Sequence, residues 1–395
     1  MNQKNDIPLI NSHPIFNWHL EVSSKCTLHC PRCPRTERKG MYKITEHSLE
    51  FVQKILTPEI LSRTARVLLC GGQGDPIYCH DFLDIVAYIK KENPNVCVHI
   101  ITNGSYKTTT WWIDLAQLLN HNDIVTFSID GWDNDSNNLY RVNSNYDSAV
   151  AGLKTLRKYN SKVFIIWSTI VFKFNQDKLD VICDQARELD VDYFNIVESF
   201  LFGSNIPNYI NKELGYDPLE PNKVSDWNYH ELEVVKLTDR VYPERNKQLI
   251  SQQAQPVIEE YQQGSVIPLC RTGERAIYVD AEGILYPCSW ISHPFRVRRS
   301  KFKDKEITWD QSLFVKYKDR FDLKQHSLEQ ILLGPDWQKI TASWRDPAKS
   351  FVECDNKCHS KSTVNRINNK LNLNLVDYET FVKIYREKFG GDGKI

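Results

Sequence analysis

The chain has 395 residues, enough for one large core of barrel size and a smaller domain. It carries 50 Lys and Arg against 50 Asp and Glu, and this zero net charge gives no reason to expect nucleic acid or an anionic membrane as main partner. It contains no run of eighteen apolar residues, and its first residues lead into no apolar signal segment, so we expect a cytoplasmic protein without a membrane span.

Segments of strand and helix character alternate through the first half of the chain. Strands are predicted at residues 16–22, 66–70, 96–101, 124–129, 162–172 and 193–197. Helices are predicted at residues 48–56, 81–91, 111–119, 146–159 and 178–189. The strands are apolar runs, as expected where both faces of a sheet are covered, and the alternation indicates an α/β fold with a parallel sheet and right-handed crossovers.

Polar segments follow the first four strands. They are the cysteine loop (residues 26–33), Gly71-Gly72-Gln73-Gly74-Asp75-Pro76, Thr102-Asn103-Gly104 and Ser128-Ile129-Asp130-Gly131. Because ligands bind at the carboxyl ends of the strands in α/β barrels and open α/β sheets, we expect the four segments to meet at one site.

The character of the sequence changes after residue 203. Residues 204–265 are polar and interrupted by proline, and we interpret them as a connecting insertion that could form a lid. A hairpin is predicted where residues 277–280 and 284–286 flank Ala281-Glu282-Gly283. A basic stretch (296–303), a broken helical pattern (327–344) and a closing helix (375–389) follow. The predicted organisation is a core at 1–203, the insertion at 204–265, a second domain at 266–362 and a helical tail at 363–395.

Eleven cysteines are many for a chain expected in a reducing compartment, where they are more often metal ligands or buried thiols than disulfides. Cys26, Cys30 and Cys33 are spaced C-x3-C-x2-C. Three thiolates cannot complete a four-iron cluster, which needs four ligands, so one iron would stay open to another ligand. A second patterned set lies in the C-terminal half: Cys270, Cys288, Cys354 and Cys358.

The cysteine spacing after a first strand, together with the downstream segments, resembles the radical S-adenosylmethionine (radical SAM) superfamily. The resemblance implies a partial (β/α)6 TIM-like barrel that holds a 4Fe-4S cluster on Cys26, Cys30 and Cys33, with SAM chelating the open iron. Reductive cleavage of SAM would give methionine and a 5′-deoxyadenosyl radical, which abstracts a hydrogen atom from the substrate. The resemblance also implies a protein reductant such as flavodoxin or ferredoxin.

The same resemblance assigns SAM contacts to the polar segments. Gly72, Gly74 and Asp75 correspond to the glycine-rich motif that meets the SAM amino group, although the family usually has Glu where this chain has Asp75. Asn103 corresponds to the position near the ribose after the third strand.

Further SAM contacts are assigned on the fourth and fifth strands and in the cysteine loop. Ser128 and Asp130 correspond to polar residues that face SAM, with Ser168 as another candidate. Arg141 resembles the arginine that pairs with the SAM carboxylate, a geometry that suits a guanidinium group. Arg32 stands where the family usually places an aromatic residue against adenine, and a guanidinium group can stack on a base plane.

The second cysteine set resembles the Twitch/SPASM auxiliary-cluster region. Cys270 and Cys288 flank the predicted hairpin, and Cys354 and Cys358 would supply the remaining ligands of a second 4Fe-4S cluster. A full SPASM domain carries seven cysteines, so the shorter Twitch type, a small α+β domain, is favoured. Such a cluster could accept an electron from a substrate radical. A structural zinc site is the alternative for these four residues.

Two classes of function follow from these patterns. The first is a radical SAM oxidoreductase, acting either on a peptide or protein side chain or on a small polar molecule. The second is a metal-binding scaffold, with zinc or Fe-S, or an RNA-interacting protein with degenerate SAM chemistry. Zero net charge argues against broad RNA binding.

Overall fold

The computed structural model describes residues 16–37, 43–198, 217–219, 234–237, 276–292, 314, 317–343 and 354. Several predictions made from the sequence fall outside the described residues: Cys270, Cys358, the basic stretch at 296–303, the closing helix at 375–389 and most of the insertion. Within the described ranges, no helix has both the length and the apolar composition needed to cross a membrane.

Strand and helix alternate through the core, as the sequence predicts. The strands are β1 (Phe16–Leu20), β2 (Thr64–Leu69), β3 (Cys97–Thr102), β4 (Ile124–Ser128), β5 (Phe164–Val171) and β6 (Tyr193–Glu198). The helices are α1 (Pro34–Glu37), α2 (Leu49–Ile55), α3 (Pro58–Arg63), α4 (Phe82–Glu92), α5 (Thr109–Leu118), α6 (Asn134–Asn138), α7 (Tyr146–Tyr159) and α8 (Leu179–Glu188).

Three short helices, α1, α3 and α6, are absent from the sequence-based prediction. Local chemistry explains two of them better than apolar periodicity does. Thr57 caps α3 through its side chain, and proline occupies the first helical position. Asp133 and Ser136 form a capping box at the start of α6.

Strands β1 to β6 pair in parallel in their chain order. Three further strands, β7 (Val234–Lys236), β8 (Ala276–Val279) and β9 (Leu285–Tyr286), complete a nine-stranded sheet in the order β7-β6-β5-β4-β3-β2-β1-β8-β9. This parallel-rich α/β sheet agrees with the partial barrel expected for the core. Strand β7 lies in the predicted insertion and pairs antiparallel with β6.

The hairpin β8–β9 extends the core sheet, and the second domain expected at 266–362 stays a prediction. β8 pairs in parallel with β1, and β9 pairs antiparallel with β8. Ile277, Val279 and Leu285 are buried. The hairpin therefore covers an edge of the sheet that β1 would otherwise leave open, with unpaired backbone groups.

The broken helical pattern at 327–344 corresponds to two helices, α9 (Leu328–Leu333) and α10 (Pro335–Ser343). The break falls at Gly334-Pro335, where proline cannot continue the preceding helix. Both helices pack through buried side chains into the main apolar core: Ile331, Leu332, Trp337 and Ile340.

The two faces of the sheet differ in chemistry because side chains alternate along each strand. Ile165, Trp167 and Val171 of β5 belong to the main core that includes the helices. The opposite, inner face carries a smaller apolar cluster near the amino ends of the strands: Cys97, Ile124, Phe164 and Ile166, with Tyr193 packed against it. Farther along the same face lie polar side chains, His99, Thr126, Ser168 and Asn195, and beyond them Ile170 packs against the cysteines.

Candidate functional site

The cysteine loop follows β1, and its three thiols share one apolar cluster. Cys26, Cys30 and Cys33 pack with side chains from four segments: Leu28, Tyr140, Phe172 and Leu219. Burial raises the pKa of Cys26 to about 11 and that of Cys30 to about 12, although the charge of Arg141 lowers the latter. The pocket therefore disfavours bare thiolates, and a bound metal centre would supply the positive charge that they need.

The three thiols of the cysteine loop are donors of one chemical type. Three cysteines are the ligand type that iron–sulfur clusters use. Among the described residues, these thiols included, no three His, Cys, Asp or Glu side chains are grouped closely enough to hold a single metal ion.

The segments after β2 and β3 contact the cysteine loop. The backbone N–H of Asp75 donates to the carbonyl of Lys25 at 2.8 Å. The Nδ2 of Asn103 lies 3.8 Å from the sulfur of Cys26. Two of the predicted SAM-binding segments thus meet the loop at its first cysteine.

The segment after α6 contacts the middle of the same loop. The backbone N–H of His29 donates to the carbonyl of Val142 at 2.9 Å. The Nδ2 of Asn143 donates to the carbonyl of Thr27 at 2.7 Å. The cysteine loop is therefore fixed from two sides.

Asp75 organises a buried hydrogen-bond network. Its Oδ2 accepts from the Thr102 hydroxyl at 3.1 Å and from the Asn103 N–H and Nδ2 at 2.7 and 2.5 Å. Its Oδ1 accepts from the Ile77 N–H at 3.3 Å. Burial raises the pKa of Asp75 to about 6, and these hydrogen bonds oppose the rise. Asp75 and Asn103, which sequence analysis assigned to separate SAM contacts, therefore form one unit.

Asp130 and Arg141 also form a pair. The Nε of Arg141 lies 2.7 Å from Oδ2 of Asp130, and Oδ1 of Asp130 accepts from the Ile170 N–H at 2.7 Å. Asn137 and Asn175 hold the backbone of Asp130 at 2.9 and 2.8 Å. Arg141 thus lies near Cys30 with Asp130 as its protein partner, and its predicted contact with the SAM carboxylate stays a prediction.

Arg32 makes a contact that the sequence does not suggest. Its Nη2 lies 3.7 Å from Oδ2 of Asp217, and only 6% and 9% of the two side chains are exposed. Leu219, two residues later, is buried in the apolar cluster around the cysteines. The short segment 217–219 therefore lies directly on the cysteine loop.

Ser128 and Ser168 lie on the polar part of the inner face. They are register partners across β4 and β5, and both are partly exposed. The Ser168 hydroxyl accepts from Nδ2 of Asn195 at 3.0 Å. The Nε2 of His99 lies 3.0 Å from the Thr126 hydroxyl on the same face.

The main residue that sequence analysis missed is Glu21, directly after β1. Its Oε1 accepts from the N–H groups of Gln73 and Gly74 at 2.5 and 3.1 Å, and its Oε2 accepts from the Tyr278 hydroxyl. Burial raises the pKa of Glu21 to about 8. An acidic residue near the end of the predicted first strand (residues 16–22), shortly before the cysteine loop, was the signal that could have identified it.

The segment that follows β2, residues 71–76, is called the strand-two segment below. It fits a bound polar ligand. Gln73 is buried, and its Oε1 has no hydrogen-bond partner in the described part of the chain. A buried acceptor of this kind is expected where a ligand donates a hydrogen bond. At Gly74, a Cβ atom would lie 2.2 Å from the carbonyl oxygen of Ser23, so the segment packs directly on the backbone before the cysteine loop.

The second cysteine set is described only in part. Cys354 is buried in the main apolar core, and the partly buried Cys288 packs against that core. With Cys270 and Cys358 outside the described residues, the auxiliary cluster stays a prediction.

Comparison with known protein families gives one match. Residues 20–186 match the family model described as the radical SAM superfamily. The matched range contains the cysteine loop and all the SAM contacts proposed from the sequence. This part of the chain, less than half of its length, is similar to the radical SAM superfamily.

Solved structures with a similar fold include three with bound ligands. SuiB of Streptococcus suis bound to its precursor peptide SuiA is 13% identical with a TM-score of 0.49, over 79% of this chain and 66% of that chain. The structure of anSMEcpe with bound AdoMet and the Cp18Cys peptide is 14% identical with a TM-score of 0.45, over 91% and 99%. BtrN in complex with AdoMet and 2-DOIA is 12% identical with a TM-score of 0.39, over 85% and 88%. Comparison with the curated proteins gives no match.

Proposed function

We propose that this chain, whose residues 20–186 match the radical SAM superfamily, is a radical SAM enzyme that holds a 4Fe-4S cluster on Cys26, Cys30 and Cys33 and cleaves SAM reductively. The family implies SAM and one such cluster. The observation that carries the proposal is the apolar cluster that the three thiols share, with the Asn103 amide 3.8 Å from the Cys26 sulfur. When bound, cluster and SAM supply a 5′-deoxyadenosyl radical that abstracts hydrogen from a substrate carbon.

The apolar side chains around the thiols shield them partly from water, with Cys30 buried and Cys26 and Cys33 partly exposed. Leu28, Tyr140 and Phe172 are each less than a tenth exposed, and the Tyr140 and Phe172 rings pack with centroids 4.3 Å apart. A dry shell tunes the potential of a cluster and protects reactive species from side reactions.

We assign the SAM amino group to the strand-two segment. In the part of the chain that the structure describes, the buried Oε1 of Gln73 has no hydrogen-bond partner, and Asp75 follows two residues later with its carboxylate bonded to Asn103. An ammonium group has three donors and can satisfy more than one of these acceptors. Gly72 and Gly74 allow the backbone to approach the ligand closely, and Asn103 is proposed for the ribose.

The other SAM contacts come from the opposite side of the loop. Arg141 uses its Nε on Asp130 and has further N–H donors for the SAM carboxylate. Arg32, oriented by Asp217, is proposed for the adenine side. Ser128 and Ser168 are proposed for the polar face toward SAM.

We further propose that the enzyme is an oxidoreductase with a second 4Fe-4S cluster on Cys270, Cys288, Cys354 and Cys358. This cluster would accept the electron that remains on the substrate after hydrogen abstraction, so that the substrate loses two electrons in total. The position of the hairpin supports the proposal, because β8 pairs with β1 and the chain reaches Cys288 two residues after β9 ends. A structural zinc site remains the alternative for these cysteines.

The proposed substrate is a peptide or protein side chain or a small polar molecule, and the proposed reductant is a flavodoxin or ferredoxin. The polar inner face supports a polar substrate. His99, Thr126, Ser168 and Asn195 place hydroxyl, amide and imidazole groups on a parallel sheet, where apolar residues are usual.

Anaerobic reconstitution tests the function. Two clusters predict about eight irons per chain, and dithionite with SAM should yield 5′-deoxyadenosine. Cys30→Ala should remove about half of the iron and all of the 5′-deoxyadenosine. The matched control is Cys183→Ala, a buried cysteine on α8, which should retain both. Bound zinc without iron or 5′-deoxyadenosine would favour the metal-binding scaffold.

A further inference from the structure

Glu21 links three parts of the chain that are distant in sequence. The side chain is buried, and both carboxylate oxygens have donors: Gln73 and Gly74 on Oε1 and Tyr278 on Oε2. Every contact of the Glu21 carboxyl group named here is with the protein itself. Its contacts point to a role in fixing the conformation of the strand-two segment.

The strand-two segment has little room to move independently of Glu21. A Cβ atom at Gly71 would lie 2.3 Å from Oε1 of Glu21. Gly74 packs on the backbone of Ser23, and the next residue, Asp75, carries the hydrogen bonds that orient Asn103. A displacement of Glu21 would therefore reach the proposed contacts of SAM.

Tyr278 connects the C-terminal hairpin, formed by β8 and β9, to Glu21. It lies on β8 opposite His19 of β1, and the two rings meet edge to face with centroids 4.7 Å apart. Its buried hydroxyl donates to Oε2 of Glu21. The hairpin is thus connected to the strand-two segment through one carboxylate.

We propose that Glu21 is a positioning residue for SAM binding, and that the Tyr278 hydroxyl of the C-terminal hairpin sets its orientation. This role rests on the SAM site proposed above. SAM binds only when the strand-two segment is in one conformation. The affinity for SAM therefore falls in proportion to the fraction of protein molecules that have this conformation. By linkage, bound SAM should stabilise the hairpin.

The test replaces only the hydroxyl, in Tyr278→Phe, using the anaerobically purified holoenzyme. Equilibrium dialysis measures the dissociation constant of SAM, and hydrogen exchange measures protection of the Gln73 and Gly74 amides. We expect faster exchange at both amides and a dissociation constant raised about fivefold, as for the loss of one buried hydrogen bond. Iron content should equal that of the wild type.

Tyr286→Phe is the matched control. Tyr286 is also buried, its ring centroid lies 5.9 Å from that of Tyr278, and the acidic group that most affects its hydroxyl is Asp280, ahead of Glu21. The free energy of unfolding should fall about as much in this variant as in Tyr278→Phe, but the dissociation constant of SAM should stay within about twofold of the wild-type value. Glu21→Gln retains an oxygen acceptor and should bind SAM better than Glu21→Leu.

The outcomes separate the two proposals. Wild-type enzyme that binds no SAM would contradict the proposed function itself. Wild-type binding with unchanged affinity in Tyr278→Phe, or an equal loss in both tyrosine variants, would overturn the positioning role and leave the function intact.

Discussion

His47 connects the segment after the cysteine loop to the C-terminal hairpin, and its burial predicts sensitivity to acid. Its Nε2 lies 2.8 Å from the carbonyl of Asp280, and its ring stacks on Phe51 with centroids 4.3 Å apart. Because a carbonyl only accepts, Nε2 carries the proton in the neutral ring. Burial, with a further contribution from the charge of Lys324, lowers the pKa of His47 from 6.5 to about 4.

The sign of the effect follows from proton binding. The folded protein keeps His47 neutral down to about pH 4, whereas the unfolded chain binds a proton near pH 6.5. The unfolded state therefore binds more protons between these values, so stability falls as the pH is lowered through this window. For these two pKa values, acidification from about pH 7 to about pH 5 removes about 2 kcal/mol of the free energy of unfolding.

Urea unfolding at both pH values measures this contribution, with wild type compared with His47→Gln. Glutamine can donate to the Asp280 carbonyl but does not titrate, so acidification should destabilise the wild type by about 2 kcal/mol more than the variant. Both proteins carry the same cysteine sets, so any acid lability of a bound cluster cancels in the comparison. Equal losses in the two proteins would refute the assignment of the acid sensitivity to His47.

Two further substitutions test the site and the fold separately. Gly74→Ala places a Cβ 2.2 Å from the Ser23 carbonyl oxygen. We therefore expect the free energy of unfolding to fall by about 1–3 kcal/mol and the affinity for SAM to fall as well. Wild-type SAM affinity in equilibrium dialysis would contradict the packing argument. Asp192→Asn weakens the buried ion pair that Asp192 forms with Arg157 at 2.5 Å. Urea unfolding should therefore show that the free energy of unfolding falls by about 3 kcal/mol, while the affinity for SAM stays unchanged. A fall of less than about 1 kcal/mol would contradict the importance of this ion pair.

Elements with a strong local pattern could be predicted from the sequence. Helix α7 has the predicted bounds, because its buried residues recur at helical spacing and Asn145 caps its first turn. The order of the first six strands follows from apolar runs separated by helices. The contacts of the strand-end segments with the cysteine loop agree with the rule that such segments meet at the carboxyl edge of a parallel sheet.

Contacts between distant residues could not be predicted in this way. Glu21 and Tyr278 are 257 positions apart, and no periodicity in either segment specifies the other. Two further contacts also join residues that are far apart in the sequence: the pairing of β8 with β1, and the ion pair between Arg32 and Asp217. These contacts depend on how the chain returns to the first strand, which a local pattern does not encode.

Asp75 shows how such contacts change the interpretation of a motif. Sequence analysis places its carboxylate on the SAM amino group, at a position where the family usually has the longer Glu. In the structure, the Asp75 carboxylate accepts four hydrogen bonds from protein groups, two of them from Asn103. Within the described residues, the Oε1 of the nearby Gln73 has no hydrogen-bond partner. If SAM binds as proposed, Asp75 acts mainly by orienting Asn103, and Gln73 provides much of the contact with the amino group. Gln73→Leu should then weaken SAM binding at least as much as Asp75→Asn, whereas a direct Asp75 contact predicts the reverse order.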